Sequence, residues 1–108
     1  MSNDPWRNAR VMYEKDTCAR KMGIELIEID DGFAQMSMTV SADMLNGHQT
    51  CHGGQLFTLA DTAFAYACNS QGLAAVASAA SIDFLRPAFA GDRLVATARV
   101  KQQGKLTG

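Results

Sequence analysis

The sequence predicts an α+β domain in which an antiparallel sheet wraps around one long central helix. Three observations lead there: a period-two hairpin pattern after Gly23, a long apolar helical run from Gly53, and further strand patterns beyond it. The chain has 108 residues, 47% hydrophobic and 19% charged, which suits one core. No internal repeat, low-complexity tract or linker divides residues 1–108, so they read as a single domain.

Asp4 is placed to cap a helix that begins at Pro5. Trp6, Ala9, Met12 and Tyr13 then recur at helical spacing until Gly23 offers a stop, predicting one amino-terminal docking helix. Ile24 and Leu26 start a strand whose phase shifts after Ile27 to Ile29, the mark of a bulge. Asp30-Asp31-Gly32 supplies a hairpin turn, and Ala34, Met36, Met38 and Val40 alternate with Gln35, Ser37 and Thr39 on the return strand. Residues 41–52 are irregular and polar, with a turn at Asn46-Gly47.

From Gly53 to about Asn69, Leu56, Phe57, Leu59, Ala60, Ala63, Phe64, Ala65 and Ala67 surround the helix axis almost completely, as in a helix enclosed by protein. The small-residue run Leu73–Ala80 leads into Ile82, Phe84 and Leu85, a strand stopped by Pro87. In a further strand, Leu94, Ala96, Ala98 and Val100 alternate with Arg93, Thr97, Arg99 and Lys101, before a turn at Gly104. Those strands leave an unpaired edge, so one or two more are expected in the natural protein.

Ten basic and eleven acidic residues leave a net charge of −1, too little to gather nucleic acid or an anionic membrane. Residues 4–22 interleave Arg7, Arg10, Glu14, Lys15, Arg20 and Lys21 with apolar side chains, which excludes a signal peptide or membrane span there and predicts a cytoplasmic protein. Cys18, Cys51 and Cys68 form no CxxC pair and read as reduced thiols. A chain this short gains burial readily by self-association.

Asp61 is the sharpest chemical feature, the only charged side chain between His52 and Asp83, on a helix that reads as buried. A buried carboxylate is costly unless partnered, and on its own face only the Thr58 hydroxyl offers a hydrogen bond. That combination marks a functional acid or base. His52-Gly53-Gly54 opens the same helix, where free N–H groups beside two glycines let a polarised carbonyl oxygen approach. Eight residues separate Gly53 from Asp61, roughly 12 Å at the helical rise, whereas reacting atoms must lie about 3–3.5 Å apart. Two antiparallel helices in a twofold dimer would bring each Asp61 opposite the partner's Gly53. Cys51 with His48 or His52 makes a poor cysteine hydrolase without an orienting carboxylate, and His48, Cys51 and His52 lack a fourth zinc ligand at familiar spacing. No metal is expected.

The run Asn46-Gly47-His48-Gln49-Thr50-Cys51-His52-Gly53-Gly54-Gln55-Leu56-Phe57, continued by Asp61-Thr62-Ala63-Phe64 and Ile82-Asp83-Phe84-Leu85-Arg86-Pro87, resembles the PaaI-type phenylacetic acid degradation thioesterases. The resemblance implies a hotdog fold, dimers paired into a homotetramer, and hydrolysis of phenylacetyl-CoA and its ring-hydroxylated relatives during aromatic catabolism, with no cofactor. It implies Asp61 as nucleophile or general base and the Gly53 N–H as the group polarising the thioester carbonyl. Asn46 with His52 would orient water or support the loop. Gly54 adds a second open amide for substrate. Related enzymes place a Ser or Thr on the strand after the helix, and Ser78 stands nearest that position. Arg86, Arg93 and Lys105 read as solvated surface rather than phosphate contacts. The rival class is a non-catalytic acyl-CoA-binding or assembly module, which would gain little from a carboxylate at position 61.

Overall fold

The chain begins as its capping chemistry dictates. In the computed structural model, which describes residues 4–70 and 87–100, the Asp4 carboxylate accepts hydrogen bonds from the Trp6 and Arg7 N–H groups at 3.1 and 3.4 Å. Pro5 then fills the first position of helix α1 (Pro5–Lys15), where an N–H is not needed. The helix does not run on to Gly23 as its periodicity predicts. Asp16 ends α1 and starts a second helix, α2 (Thr17–Lys21), by accepting the Ala19 N–H at 3.0 Å. A short acidic side chain that bonds nearby backbone competes with helix continuation, and here it wins.

Strand β1 (Glu25–Asp30) carries the predicted bulge: Leu26 faces Met36 while Glu28 faces Gln35, leaving Ile27 as the extra residue. Asp30 pairs with Phe33, so Asp31-Gly32 is a two-residue turn, and Gly32 takes the positive φ of 69° that such a turn favours. Strand β2 (Phe33–Thr39) pairs on its other side with β3 (Arg93–Arg99), antiparallel from Phe33 opposite Arg99 to Thr39 opposite Arg93. The sheet order is β1-β2-β3.

Helix α3 (Gly53–Asn69) lies against β2 and β3. Leu59, Ala63, Tyr66 and Ala67 share one buried core with Ile29, Ala34, Met36 and Met38 of the sheet, and with Ala9 and Ala19 of α1 and α2. Each large apolar side chain buried there contributes about 1.5–3 kcal/mol. Polar ties hold the small helices to this core. Tyr13 donates to the Ile24 carbonyl at 2.6 Å, and the Tyr66 hydroxyl donates to Asp16 Oδ2 at 3.1 Å, fixing the break between α1 and α2 onto α3. Ser70 gathers three segments: its Oγ accepts the Gly32 N–H at 2.9 Å and donates to the Ala67 carbonyl at 2.8 Å, while its own carbonyl accepts from Asn8 Nδ2 at 3.2 Å.

One expectation is corrected. Helix α3 is not enclosed all round: Gly53, Gly54, Phe57 and Asp61 are exposed, with Phe57 49% open to solvent. Its alanines make the sequence look apolar on every side, yet Ala60 and Ala65 are only half-buried. The expected strand at Ile82–Leu85, the small-residue run before it and the turn at Gly104 lie outside the described residues. Among the described residues no helix is long and apolar enough to cross a membrane.

Candidate active site

The loop before α3 is shaped by one side chain. Asn46 Oδ1 accepts the His48 N–H at 2.8 Å, the Thr50 N–H at 3.2 Å and the Thr50 hydroxyl at 3.2 Å. The backbone closes the same turn, with the Asn46 N–H on the Thr50 carbonyl at 2.8 Å and Leu45 bridged to Cys51. An Asn is suited to this because its amide oxygen can replace backbone acceptors in a tight turn. Two further bonds anchor the loop's exit, Cys51 N–H to the Ala88 carbonyl at 2.7 Å and His52 N–H to the Met44 carbonyl at 2.8 Å. Asn46 therefore supports the loop, and His52 is delivered to the start of α3.

His52 is the N-cap residue, exposed, and makes no side-chain capping bond. Its carbonyl takes the Gln55 and Leu56 N–H groups at 3.0 and 3.2 Å. Among the described residues nothing accepts from the Gly53 or Gly54 N–H. Helices α1 and α2 have aspartates at the corresponding places, so α3 alone of the three opens on bare donors. A Cβ added to Gly54 would meet nothing within 4 Å, so among the described residues no packing requires a glycine there. The partial positive charge of the helix start and two outward N–H groups suit an oxygen that acquires negative charge.

Asp61 lies two turns further along the same open stripe. Its carboxylate is exposed and has no hydrogen bond or ion pair among the described residues. The hydroxyl expected to help it is committed elsewhere: Thr58 Oγ1 donates to the Gly54 carbonyl at 2.9 Å, and Thr62 Oγ1 donates to the Thr58 carbonyl at 2.6 Å. The structure thus brings Asn46, His52, Gly53 and Gly54 together and leaves Asp61 roughly 12 Å away along the helix axis. Ser78, Arg86 and Lys105 lie outside the described residues, and Arg93 is exposed at the start of β3. Cys51 is buried, its Sγ 3.6 Å from the His52 carbonyl oxygen, and burial pushes its thiol pKa up. A thiol held protonated is a weak nucleophile, which counts against the cysteine reading.

Sequence reasoning passed over Gln55. Among the described residues its Oε1 is buried without a hydrogen-bond partner, and Gln55 is one of the residues, with Lys21, Met22, Asp43 and Met44, around a cleft beside the helix start. The available signal was a glutamine on the third position of the helix, where a capping box would normally employ it. Here the His52 N–H it would cap is already bonded to Met44.

The family model described as Thioesterase superfamily matches residues 48–108, a span that includes the whole of α3. The chain belongs to that superfamily. It is 70% identical over 108 residues to the acyl-coenzyme A thioesterase PaaI of Escherichia coli strain K12, covering all of this chain and 77% of that protein. Among solved structures, it is similar to the E. coli PaaI protein from the phenylacetic acid degradation operon, with a TM-score of 0.87 and 71% identity over 94% of this chain and 73% of that one. A Streptococcus mutans protein solved with acetyl-CoA bound is 28% identical, with a TM-score of 0.68 over 76% of this chain and 66% of that one. The fold is the hotdog fold, with α3 as the helix the sheet wraps.

Proposed function

We propose that this chain hydrolyses acyl-CoA thioesters, phenylacetyl-CoA and ring-hydroxylated phenylacetyl-CoA above all, at sites shared between two copies of itself. The observation that carries this reading is the open stripe of α3. Unpartnered Gly53 and Gly54 donors sit at one end, and an unpartnered Asp61 sits two turns away on the same exposed side. A second copy packed antiparallel on this stripe sets each carboxylate against its neighbour's donors and covers Phe57. The 70% identity to the E. coli acyl-coenzyme A thioesterase, and the place of the structural relative in a phenylacetic acid degradation operon, support the substrate class. The acetyl-CoA complex of the S. mutans relative supports the coenzyme A half.

In this mechanism the Gly53 N–H, with Gly54 beside it, polarises the thioester carbonyl and steadies the oxyanion that forms. Asp61 of the partner subunit either adds to the acyl carbon, the C–S bond breaking to release coenzyme A thiolate and leave an anhydride that water then hydrolyses, or takes a proton from a water that adds to the same carbon before the thiolate leaves and is protonated. Asn46 fixes the loop that holds the donors, His52 flanks the entry, and Ser78 helps to hold water. A thioester is already a good acyl donor, so a carboxylate and aligned amides suffice. Two such dimers pair into a tetramer that works in the cytoplasm.

Thiol release from arylacetyl-, benzoyl- and aliphatic-CoA substrates tests the proposal, with the highest kcat/KM expected for the arylacetyl esters. A preference for the aliphatic esters would overturn the acyl assignment. Binding without turnover of any of them would replace catalysis by a binding module.

A further inference from the structure

The exposed side of α3 is a stripe with a centre. Residues four apart on a helix advance about 40° around it, so Gly53, Phe57 and Asp61 follow one another on one face, about 6 Å apart along the axis. Gly54 and Ala60 border the same face, while Leu56 packs against the core. Between the bare donors and the carboxylate this face therefore carries small residues and one large one, Phe57, whose side chain is 49% open to solvent. Donors at one end and an unpaired acceptor at the other make the stripe complementary to itself when a second copy lies antiparallel on it. Only one register satisfies both ends. With Asp61 opposite the partner's Gly53, and Gly53 opposite the partner's Asp61, the residue halfway between them faces its own copy. That residue is Phe57.

We infer that the two Phe57 rings meet on the twofold axis and act as the spacer that sets the width of both shared sites. The inference rests on the shared-site acyl-CoA reading above and adds a positioning residue to it. Packed helices stand about 8–10 Å apart, according to the side chains between them. Glycine and alanine alone at the crossing would let these two helices close to the short end of that range. An aromatic pair needs about 4.5–7 Å between ring centres, so the rings hold the helices toward the long end. Each gap between a Gly53 N–H and the opposing carboxylate lies only about 6 Å along the axis from the rings, so its width follows theirs. Phe57 thus acts through the carboxylate, by fixing the distance across which it works. A misplacement of about 1 Å in such a distance can cost about 100-fold in rate.

Disulfide trapping reads the axis directly. Each trapping variant also carries Cys18→Ser, because Cys18 is exposed whereas Cys51 and Cys68 are buried. Phe57→Cys treated with diamide is expected to give a covalent dimer on a non-reducing gel, since facing Cα atoms on helices about 10 Å apart come within the roughly 4.4–6.8 Å that a disulfide spans. Asp61→Cys, on the same exposed face, is expected to run as a monomer on that gel, its two copies standing about 12 Å apart along the axis. A protein that sediments as a dimer yet fails to crosslink at position 57, or crosslinks equally at position 61, overturns the inference. The spacer role has its own readout. At protein concentrations where specific activity no longer rises, Phe57→Ala is expected to lose about tenfold in kcat with the KM for phenylacetyl-CoA within about twofold, and Phe57→Leu, which restores bulk, to recover most of the loss. An undiminished kcat in the alanine variant overturns the spacer. A protein that turns over acyl-CoA as a monomer removes the shared site and the spacer together. One that crosslinks at position 57 but hydrolyses no acyl-CoA removes the thioesterase reading, and the positioning role with it, while the contact on the axis stands.

Discussion

The two sides of α3 obey different rules. Toward the sheet, Leu59, Ala63, Tyr66 and Ala67 are at most 4% exposed and their identities answer to packing. Away from it, Gly53, Gly54, Phe57 and Asp61 are exposed, and among the described residues nothing stands where a side chain at Gly54 would go and nothing pairs with Asp61. Two bare amides and an unpaired carboxylate share this face with a large aromatic ring, Phe57, that is 49% open to solvent. On the proposed reading a second copy and the substrate meet them there. If the proposed site is right, burial within one chain reports on stability for one side of this helix and exposure reports on chemistry for the other.

Substitutions on each side test that division. The largest effect is expected for Asp61→Asn, which removes the carboxylate at constant shape: turnover should fall by at least ~100-fold while the thermal midpoint stays put. Unchanged turnover would end the proposed mechanism. Leu59→Ala, one position toward the core from the open stripe, should lose about 2–5 kcal/mol in urea unfolding, with activity falling only as the folded fraction does. Phe57→Arg should leave protomer stability within about 0.5 kcal/mol. Sedimentation should instead show self-association weakened by about tenfold or more, with activity lost in parallel on dilution. A fully active monomer would break the comparison, since the open stripe would then need no neighbour.

The smallest effect belongs to Tyr66→Phe, expected to cost about 1 kcal/mol by breaking the bond to Asp16. Its pH dependence has a defined sign. Burial first, and then the charge and hydrogen bond of Asp16, raise the Tyr66 pKa well above its ordinary 10.0. The folded protein therefore holds the phenolic proton more tightly than the unfolded chain does. Stability from this group is complete below pH 10 and is lost as the pH rises beyond it. Alkaline unfolding followed by circular dichroism should be less steep in the Phe variant.

Much of this was legible in the residues, for particular reasons. The bulge at Ile27 and the buried set Ala34, Met36, Met38 and Val40 could be read because a strand's side chains alternate strictly, so one displaced residue shows. The bounds of α3, Gly53–Asn69, were marked by the change from polar loop to apolar run. The break at Asp16 was hidden because Met12, Tyr13 and Ala19 keep helical spacing across it, and only the carboxylate's reach to the Ala19 N–H reveals the new start. Asp61 was misjudged as buried because alanine counts as apolar in a pattern yet tolerates water at little cost. Asn46 was recognised through its resemblance to a family motif, while its hold on Thr50 and His48 depends on a loop conformation that spacing does not encode.

The junction at Ser70 carries a consequence for how the molecule opens. Its hydroxyl joins the hairpin turn to the last turn of α3, and its carbonyl receives α1 through Asn8. Turn amides ordinarily exchange their hydrogens early, through local fraying that costs the rest of the protein nothing. The Gly32 amide is denied that route, because releasing it means loosening the helix end as well. In deuterated solvent it should be among the last protons to leave, keeping pace with the middle of α3 and outlasting its neighbour Asp31.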